Sequence, residues 1–365
     1  MVTVEEQIKA IEDELARTQY NKHTEHHVGS LYGKIAKLKD KIEKQQLNAS
    51  KYTGPRFSIK KSGDATVALV GFPSVGKSTL INAVANTSSK VAAYDFTTLM
   101  PIPGMIEYKN ARIQIIDLPG IIGDASKGRG RGREVLSVAR NAELILLLVD
   151  PRKPEQLKII KEELYNIGVR LDKKPPKVII KRTLKGGINV LSDPQITTLS
   201  KELIESVLQN FGIANADVMI YEKMSIDEFI DALVGNRHYA TSILVFNKAD
   251  TISNEELLNL KKEYPYALFI SAEKKEGLDK LKDAIFEATR IMRIYLKPQG
   301  KPVDMQKPII MRRGDTVYDV CLKIHRGFVH SFRYAQVWGS SAKFKGQKIG
   351  LNHILLDGDV LTIVF

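Results

Sequence analysis

The chain has 365 residues, 43% of them hydrophobic, with 55 Lys/Arg against 42 Asp/Glu and one cysteine. Such a length predicts roughly two to four modules around substantial cores. The longest apolar run, Leu144–Val149, is too short to span a bilayer, no apolar signal core opens the sequence, and Cys321 alone excludes an internal disulfide framework. A reducing, cytoplasmic compartment and no membrane partner are expected, with Cys321 a small buried hydrophobe. The charge excess lies at the ends: residues 1–62 carry net +4, residues 291–365 net +7, and everything between only +2. A nearly neutral body with basic appendages suits a polyanionic partner.

In chain order, Val4, Ile8, Ile11 and Leu15 fall at helical spacing, and so do Leu31, Ile35, Leu38 and Ile42. Thr24 with Glu25 is a start signal for the second helix, and the pair reads as a helical hairpin. Lys34, Lys37, Lys39, Lys41 and Lys44 form either a solvated face or part of an RNA-binding one. Residues 49–63 read as a linker. Strands are predicted at 66–70, 113–117, 144–149, 242–246 and 268–272, with helices opening after residue 76 and at 155–167 and 277–292. This alternation predicts a parallel sheet with helices on both faces, an α/β fold. Residues 168–240 interrupt the rhythm with a hairpin around Gly186–Gly187, a helix at 195–210, a strand near Val218–Tyr221 and a helix at 225–234. They read as a small α+β insertion.

The sequence GFPSVGKS at 71–78 matches G-x-x-x-x-G-K-[ST] between a predicted strand and helix, the context of a phosphate loop. Gly71 and Gly76 let the backbone curl, so that successive N–H groups of the loop through Phe72, Pro73, Ser74 and Val75, proline excepted, face the phosphates. Lys77 reaches the β- and γ-phosphates, the Ser78 hydroxyl suits Mg2+, and Thr79 lies in the same first helical turn. Asp117, Leu118, Pro119 and Gly120 form D-x-x-G: the carboxylate holds magnesium through a water and the Gly120 N–H senses the γ-phosphate. Thr97 and Thr98, in YDFTTL, compete to ligate magnesium over the γ-phosphate, with Thr98 favoured. In NKAD, Asp250 accepts the N1–H and exocyclic amine of guanine, a donor pair that adenine lacks. Asn247 supports the base edge, the Lys248 stem lies across the ring, and Ser271 with Ala272 supplies an N–H to the guanine carbonyl. GTP and GDP are the expected ligands.

These motifs in this order resemble the translation-factor-related P-loop GTPases, and GFPSVGKST, FTTL, DLPGII and GRGRGRE look like the Obg–DRG branch. The whole chain is similar to the developmentally regulated GTP-binding proteins (DRG) of archaea and eukaryotes. The similarity runs through ARTQYNKHTEHH, VALVGFPSVGKSTL, DEFIDALVGNRHY, AQVWGSSAKF and KIGLNH. It implies a helix-turn-helix-like segment at 1–62, a P-loop GTPase domain at 63–167 and 241–290, an inserted α+β domain at 168–240, and a C-terminal ubiquitin-like β-grasp (TGS) domain at 291–365. It also implies association with ribosomes, through rRNA or tRNA, and a zinc-finger regulatory partner.

Many small GTPases place a water-orienting glutamine just after the D-x-x-G glycine; Ile121 stands there, followed by Ile122, as the resemblance implies. Slow intrinsic turnover follows, roughly 10³–10⁵-fold below a stimulated rate. Relatives use K+ held by an asparagine at the fourth loop position, where this chain departs with Ser74. Arg129, Arg131 and Arg133 could act in cis, or their Gly-interleaved loop is only a mobile switch segment; switch loops are expected at 91–104 and 118–134. In the C-terminal segment Phe328, Phe332, Tyr334, Trp338 and Phe344 are expected mostly to fill a small core, leaving Arg312, Arg313, Lys323, Arg326, Arg333, Lys343, Lys345 and Lys348 as the surface signal. The reading is a monomeric, ribosome-associated GTPase switch. The alternatives are a ribosome-assembly GTPase or a nucleotide-stabilised RNA- or protein-binding scaffold with negligible turnover.

Overall fold

The computed structural model describes residues 3–19, 21–49, 62–85, 103–118, 138–192 and 199–365. Helices α1 (Val4–Arg17) and α2 (Glu25–Ala49) precede β1 (Ala65–Gly71), α3 (Lys77–Val84), β2 (Pro103–Tyr108), β3 (Ala111–Asp117), β4 (Leu144–Val149) and α4 (Gln156–Asn166). Next come β5 (Val169–Leu171), β6 (Val178–Arg182), β7 (Ile188–Ser192), α5 (Lys201–Asn210), β8 (Ala216–Ile220) and α6 (Ile226–Val234). Then follow β9 (His238–Phe246), α7 (Asn254–Glu263), β10 (Leu268–Phe269), α8 (Leu278–Ala288) and β11 (Ile291–Leu296). The chain closes with β12 (Ile309–Arg312), α9 (Val317–Ile324), α10 (Gly327–Ser331), β13 (Tyr334–Trp338), β14 (Gln347–Ile349) and β15 (Val360–Val364). Two compact units result: one joins the N-terminal helices to residues 164–239, and the other holds the main sheet and the C-terminal residues.

In the larger unit the main sheet runs β10-β9-β4-β1-β3-β2. Neighbours are parallel except β2 and β3, a hairpin turning at Lys109 and Asn110, both with positive φ. Every residue of β1 and β4 is buried, as expected where helices cover both faces of a parallel sheet. The strand–helix alternation does not announce β2, because an antiparallel edge strand needs no crossover helix.

The C-terminal sheet runs β12-β11-β15-β13-β14, with β11 and β15 parallel and the outer pairs antiparallel. α9 lays Val317, Val320 and Cys321 on its inner face against Met292, Ala335, Val337 and Leu361. This is the expected β-grasp arrangement, and Cys321 is the expected buried thiol. The helix expected to reach residue 292 ends at Ala288: Arg290 turns the chain at φ 55°, and β11 begins one residue later. Ile291 and Ile310 then share the core of the main sheet with Val67 and Leu146. Phe328 and Phe332 pack on the β-grasp core as expected, but Tyr334 and Trp338 do not. On β13 the inward positions belong to Ala335 and Val337, so strand alternation turns Tyr334 and Trp338 outward. There Lys348 and Lys297 lie over their rings, 4.7 Å from each centroid. Phe344 is exposed.

In the smaller unit the sheet order is β6-β8-β7, with β8 antiparallel to β6 and parallel to β7. The expected hairpin at Gly186–Gly187 is therefore absent. The Gly187 N–H donates instead to Asn215 Oδ1, and its carbonyl accepts from the Ala216 N–H, so the turn is tied to the start of β8. β7, α5 and β8 form a β-α-β crossover that places β8 between the two strands. α5 starts at Lys201, capped by Ser200, rather than at residue 195. The N-terminal hairpin is not free-standing. α1 packs on α2, with Glu14 and Glu12 paired to His27 and Lys39. Val28 and Ala36 of α2 join the core of this unit with Leu203, Val207 and Phe229. α2 approaches α5 so closely that a Cβ on Gly29 would stand 2.0 Å from Ser206 Oγ. α2 thus has a second buried face beside the expected stripe. Asp231, buried on α6, takes a two-point hydrogen bond from Arg170 and a further one from Arg237 Nε. Arg170 is also buried and stacks on Tyr165.

Candidate nucleotide-binding site

β1 delivers the chain to Gly71, and α3 begins at Lys77, so Phe72 to Gly76 form a turn between buried strand and helix start. Ser74 and Gly76 have φ of 63° and 91°. The Gly76 conformation is left-handed, and a Cβ there would come 2.4 Å from Asn247 Nδ2, so only glycine fits. Lys77 Nζ donates to the carbonyls of Gly71 and Phe72 at 2.9 and 3.1 Å, held back over the loop. Ser78 and Thr79 are exposed in the first turn of α3, where the helix dipole favours anions. Val75 and Leu118 are buried, so only their backbone can face a ligand.

Asn247 follows β9 and ties three segments together. Its amide donates to the Val75 carbonyl at 2.8 Å, and its Oδ1 accepts from the Ala272 N–H at 3.0 Å. A buried side-chain amide satisfied at both ends fixes the phosphate loop, the NKAD loop and the Ser271–Ala272 turn as one rigid frame. Lys248 donates to the Ser74 carbonyl at 2.7 Å. The Asp250 carboxyl is held below the usual range, first by a hydrogen bond from the buried Ser271, with Lys274 at 3.5 Å adding to it. An ionised, acceptor-only group at that position matches a paired donor edge.

Asp117 ends β3, and its Oδ1 is buried with no hydrogen-bond partner. Burial raises its carboxyl above the usual value, and the nearby Lys77 charge counters this in part. A buried carboxylate oxygen with no protein partner, beside a lysine and a helix N-terminus, suits a cation or a hydrogen-bonded water.

Thr97, Thr98, Pro119, Gly120, Ile121, Ile122, Arg129, Arg131 and Arg133 lie outside the described residues. The expected residues inside them, from Gly71 to Thr79 and Asp117, Leu118, Asn247, Lys248, Asp250, Ser271 and Ala272, gather at one end of the main sheet. Sequence reasoning missed Asp150, the residue after β4. Its carboxylate takes Arg152 Nε at 2.9 Å and Nη2 at 2.5 Å, and Lys248 Nζ lies 3.5 Å away. Arg152 above all holds its pKa down at about 2. The available signal was an acid ending a six-residue buried apolar strand on the side where the nucleotide loops emerge.

Comparison with known proteins adds to this geometry. Residues 66–182 match the family described as 50S ribosome-binding GTPase, residues 185–291 its C-terminal region, and residues 292–365 the TGS domain. An uncharacterised GTP-binding protein of Methanocaldococcus jannaschii is 50% identical over 99% of this chain and 93% of its own length. The human developmentally-regulated GTP-binding protein 2 is 44% identical, covering 98% of each chain. Among solved structures, the YchF GTPase of Schizosaccharomyces pombe is 14% identical, with a TM-score of 0.44, over 84% of this chain and 99% of that one.

Proposed function

The chain belongs to the developmentally-regulated GTP-binding protein family, and from that premise we propose that it is a GTP-hydrolysing switch docked on the ribosome by its basic appendages. The observation carrying the GTP reading is the Asn247 frame, which ties the phosphate loop at Val75 to the Ser271–Ala272 turn, while Ser271 and Lys274 hold the Asp250 carboxylate ionised beside it. Asp250 recognises the guanine N1–H and amine, and the Lys248 stem covers the ring. The Ser271 and Ala272 N–H groups donate to the Glu276 carbonyl and to Asn247 Oδ1, so the Ala272 N–H reaches the guanine carbonyl only by giving up or sharing its bond to Asn247. On binding, Lys77 exchanges the Gly71 and Phe72 carbonyls for β- and γ-phosphate oxygens, with the N–H groups of residues 74–79 around them.

The residues also fit Mg2+: Asp117, with its orphaned oxygen, would hold it through a water, and the Ser78 hydroxyl and Thr98 directly. When bound, magnesium neutralises charge on the β- and γ-phosphates. Thr98 and the Gly120 N–H report the γ-phosphate to the switch segments. Ile121 cannot hydrogen-bond the attacking water, so the group that completes the site is supplied by a partner, by K+ or by Arg129, Arg131 or Arg133. Intrinsic turnover is slow. Ser74, standing where relatives hold potassium with an asparagine, weighs against K+ as that group. The protein works as a cytoplasmic monomer, and rRNA or tRNA is the polyanion its +4 and +7 ends meet, with a zinc-finger protein as regulator.

Two measurements test this. Asp250→Asn is expected to move nucleotide preference from guanine to xanthine, and unchanged guanine preference would overturn the base assignment. Sedimentation of full-length protein with ribosomes, loaded with a non-hydrolysable GTP analogue or GDP across a salt series, is expected to show tighter, steeply salt-dependent binding in the GTP state. Binding indifferent to nucleotide would favour a scaffold role, and binding only to precursor particles a role in ribosome assembly.

A further inference from the structure

Asp150 follows β4 at the end of the sheet from which the phosphate loop and the Asn247–Asp250 loop both emerge. It is only 7% exposed, so partners rather than water sustain its charge. The Arg152 backbone N–H and Nε donate to Oδ1, at 3.0 and 2.9 Å, and its Nη2 donates to Oδ2 at 2.5 Å. Lys248 Nζ stands 3.5 Å from the same Oδ2 while donating to the Ser74 carbonyl at 2.7 Å. Ser74 and Lys248 both hold left-handed backbone, with φ of 63° and 64°. Side chains rarely adopt that conformation, and it persists only where surrounding contacts enforce it. A single ammonium, attracted to a buried carboxylate and bonded to a phosphate-loop carbonyl, restrains both residues.

We propose that Asp150 is a positioning residue for guanine-nucleotide binding, acting through Lys248. It fixes the lysine so that the stem lies along the base face and the ammonium clasps the phosphate loop at Ser74. Arg152, with its side chain 52% exposed, competes for the same carboxylate, so its loss leaves more of the Asp150 charge to Lys248. The proposal rests on the guanine-nucleotide reading of the site. A purely local role is the rival: Asp150 would then only tie down the turn to Lys153, whose N–H donates to the Asp150 carbonyl at 2.9 Å.

The test is dissociation of a fluorescent GDP analogue from the full-length protein and from Asp150→Asn, Arg152→Ala, Lys248→Met and the Asp150→Asn/Lys248→Met pair. Asp150→Asn is expected to speed release about tenfold, as removal of one member of a buried charge pair acts chiefly on the off-rate. In the Lys248→Met background the same change adds less than about threefold, because the effect runs through the lysine. Arg152→Ala leaves release unchanged or slows it. The proposal is overturned if the Asp150 and Lys248 effects multiply independently, or if Arg152→Ala speeds release as much as Asp150→Asn. Should Asp150→Asn fail to fold, Arg152→Ala still decides: unchanged or slower release supports the proposal, and faster release defeats it. If the wild-type chain binds no guanine nucleotide, the underlying reading falls; if it binds and Asp150→Asn releases at the wild-type rate, only this inference does.

Discussion

β1 and β4 are buried at every residue, while β6 and β7 of the smaller unit alternate and leave Ile179 and Leu191 50% and 57% exposed. The first sheet has cover on both faces, and the second buries the face that meets α5 and α6, with α2 packed on those helices. Double cover writes a continuous apolar run into the sequence; single cover writes an alternation that short strands blur. Double cover also gives loops a rigid base. The phosphate loop, Asp117, Asp150 and Asn247 all sit at strand ends of the doubly covered sheet. The smaller unit is held by different means: a helix pressed on a helix at Gly29, and a buried charge cluster around Asp231.

The largest expected effect attacks that charge cluster. Asp231→Ala strips Arg170 and Arg237 of their shared carboxylate and should destabilise the smaller unit by about 3–5 kcal/mol, the range for breaking a buried pair. Denaturation followed separately for the two units reads this; equal loss in both would break the comparison. Leu146→Ala, at a fully buried position of β4, should cost about 2–5 kcal/mol, whereas Leu191→Ala on β7 should stay within about 0.5 kcal/mol. Comparable melting shifts for these two variants would refute the contrast in cover. Gly29→Ala drives a methyl onto Ser206 and Leu203 and should cost about 1–3 kcal/mol. Part of that loss should return with Ser206→Gly, and no rescue would mean α2 and α5 are not in close contact in solution.

The smallest effect concerns Asp117. Its carboxyl titrates higher in the folded than in the unfolded chain, so within that window the folded state binds more protons and stability falls as pH rises. In nucleotide- and magnesium-free protein, Asp117→Asn should remove this fall and match or exceed wild-type stability above the window while weakening magnesium-dependent nucleotide binding. A variant less stable than wild type above the window would make Asp117 a structural rather than a poised group.

Much of the site was legible because its chemistry is local. A phosphate loop needs glycines and a lysine within a few residues, and a guanine-reading loop needs Asn247 and Asp250 close together, so each motif sits in one short stretch. The role of Asn247 as a bridge was less legible, since Val75 and Ala272 meet it only after β1, β9 and β10 are aligned. Asp150 carried almost no signal: an acid after an apolar strand is common, and only the position of Lys248 gives it a task.

The family and the C-terminal β-grasp module came through resemblance to known proteins; by itself the sequence determined the parallel sheet, its buried strands, and the residue types around the phosphate loop and NKAD. Those properties follow from hydrophobic period, turn chemistry and contiguous motifs, which depend on near neighbours in the chain. Tertiary structure alone decided that β8 lies between β6 and β7, that α2 has a second buried face, that Ile291 and Ile310 share the main core, and that Tyr334 and Trp338 turn outward beneath lysines. Each of these depends on which distant surfaces meet, and a residue's local pattern is the same whether its partner is water or another strand.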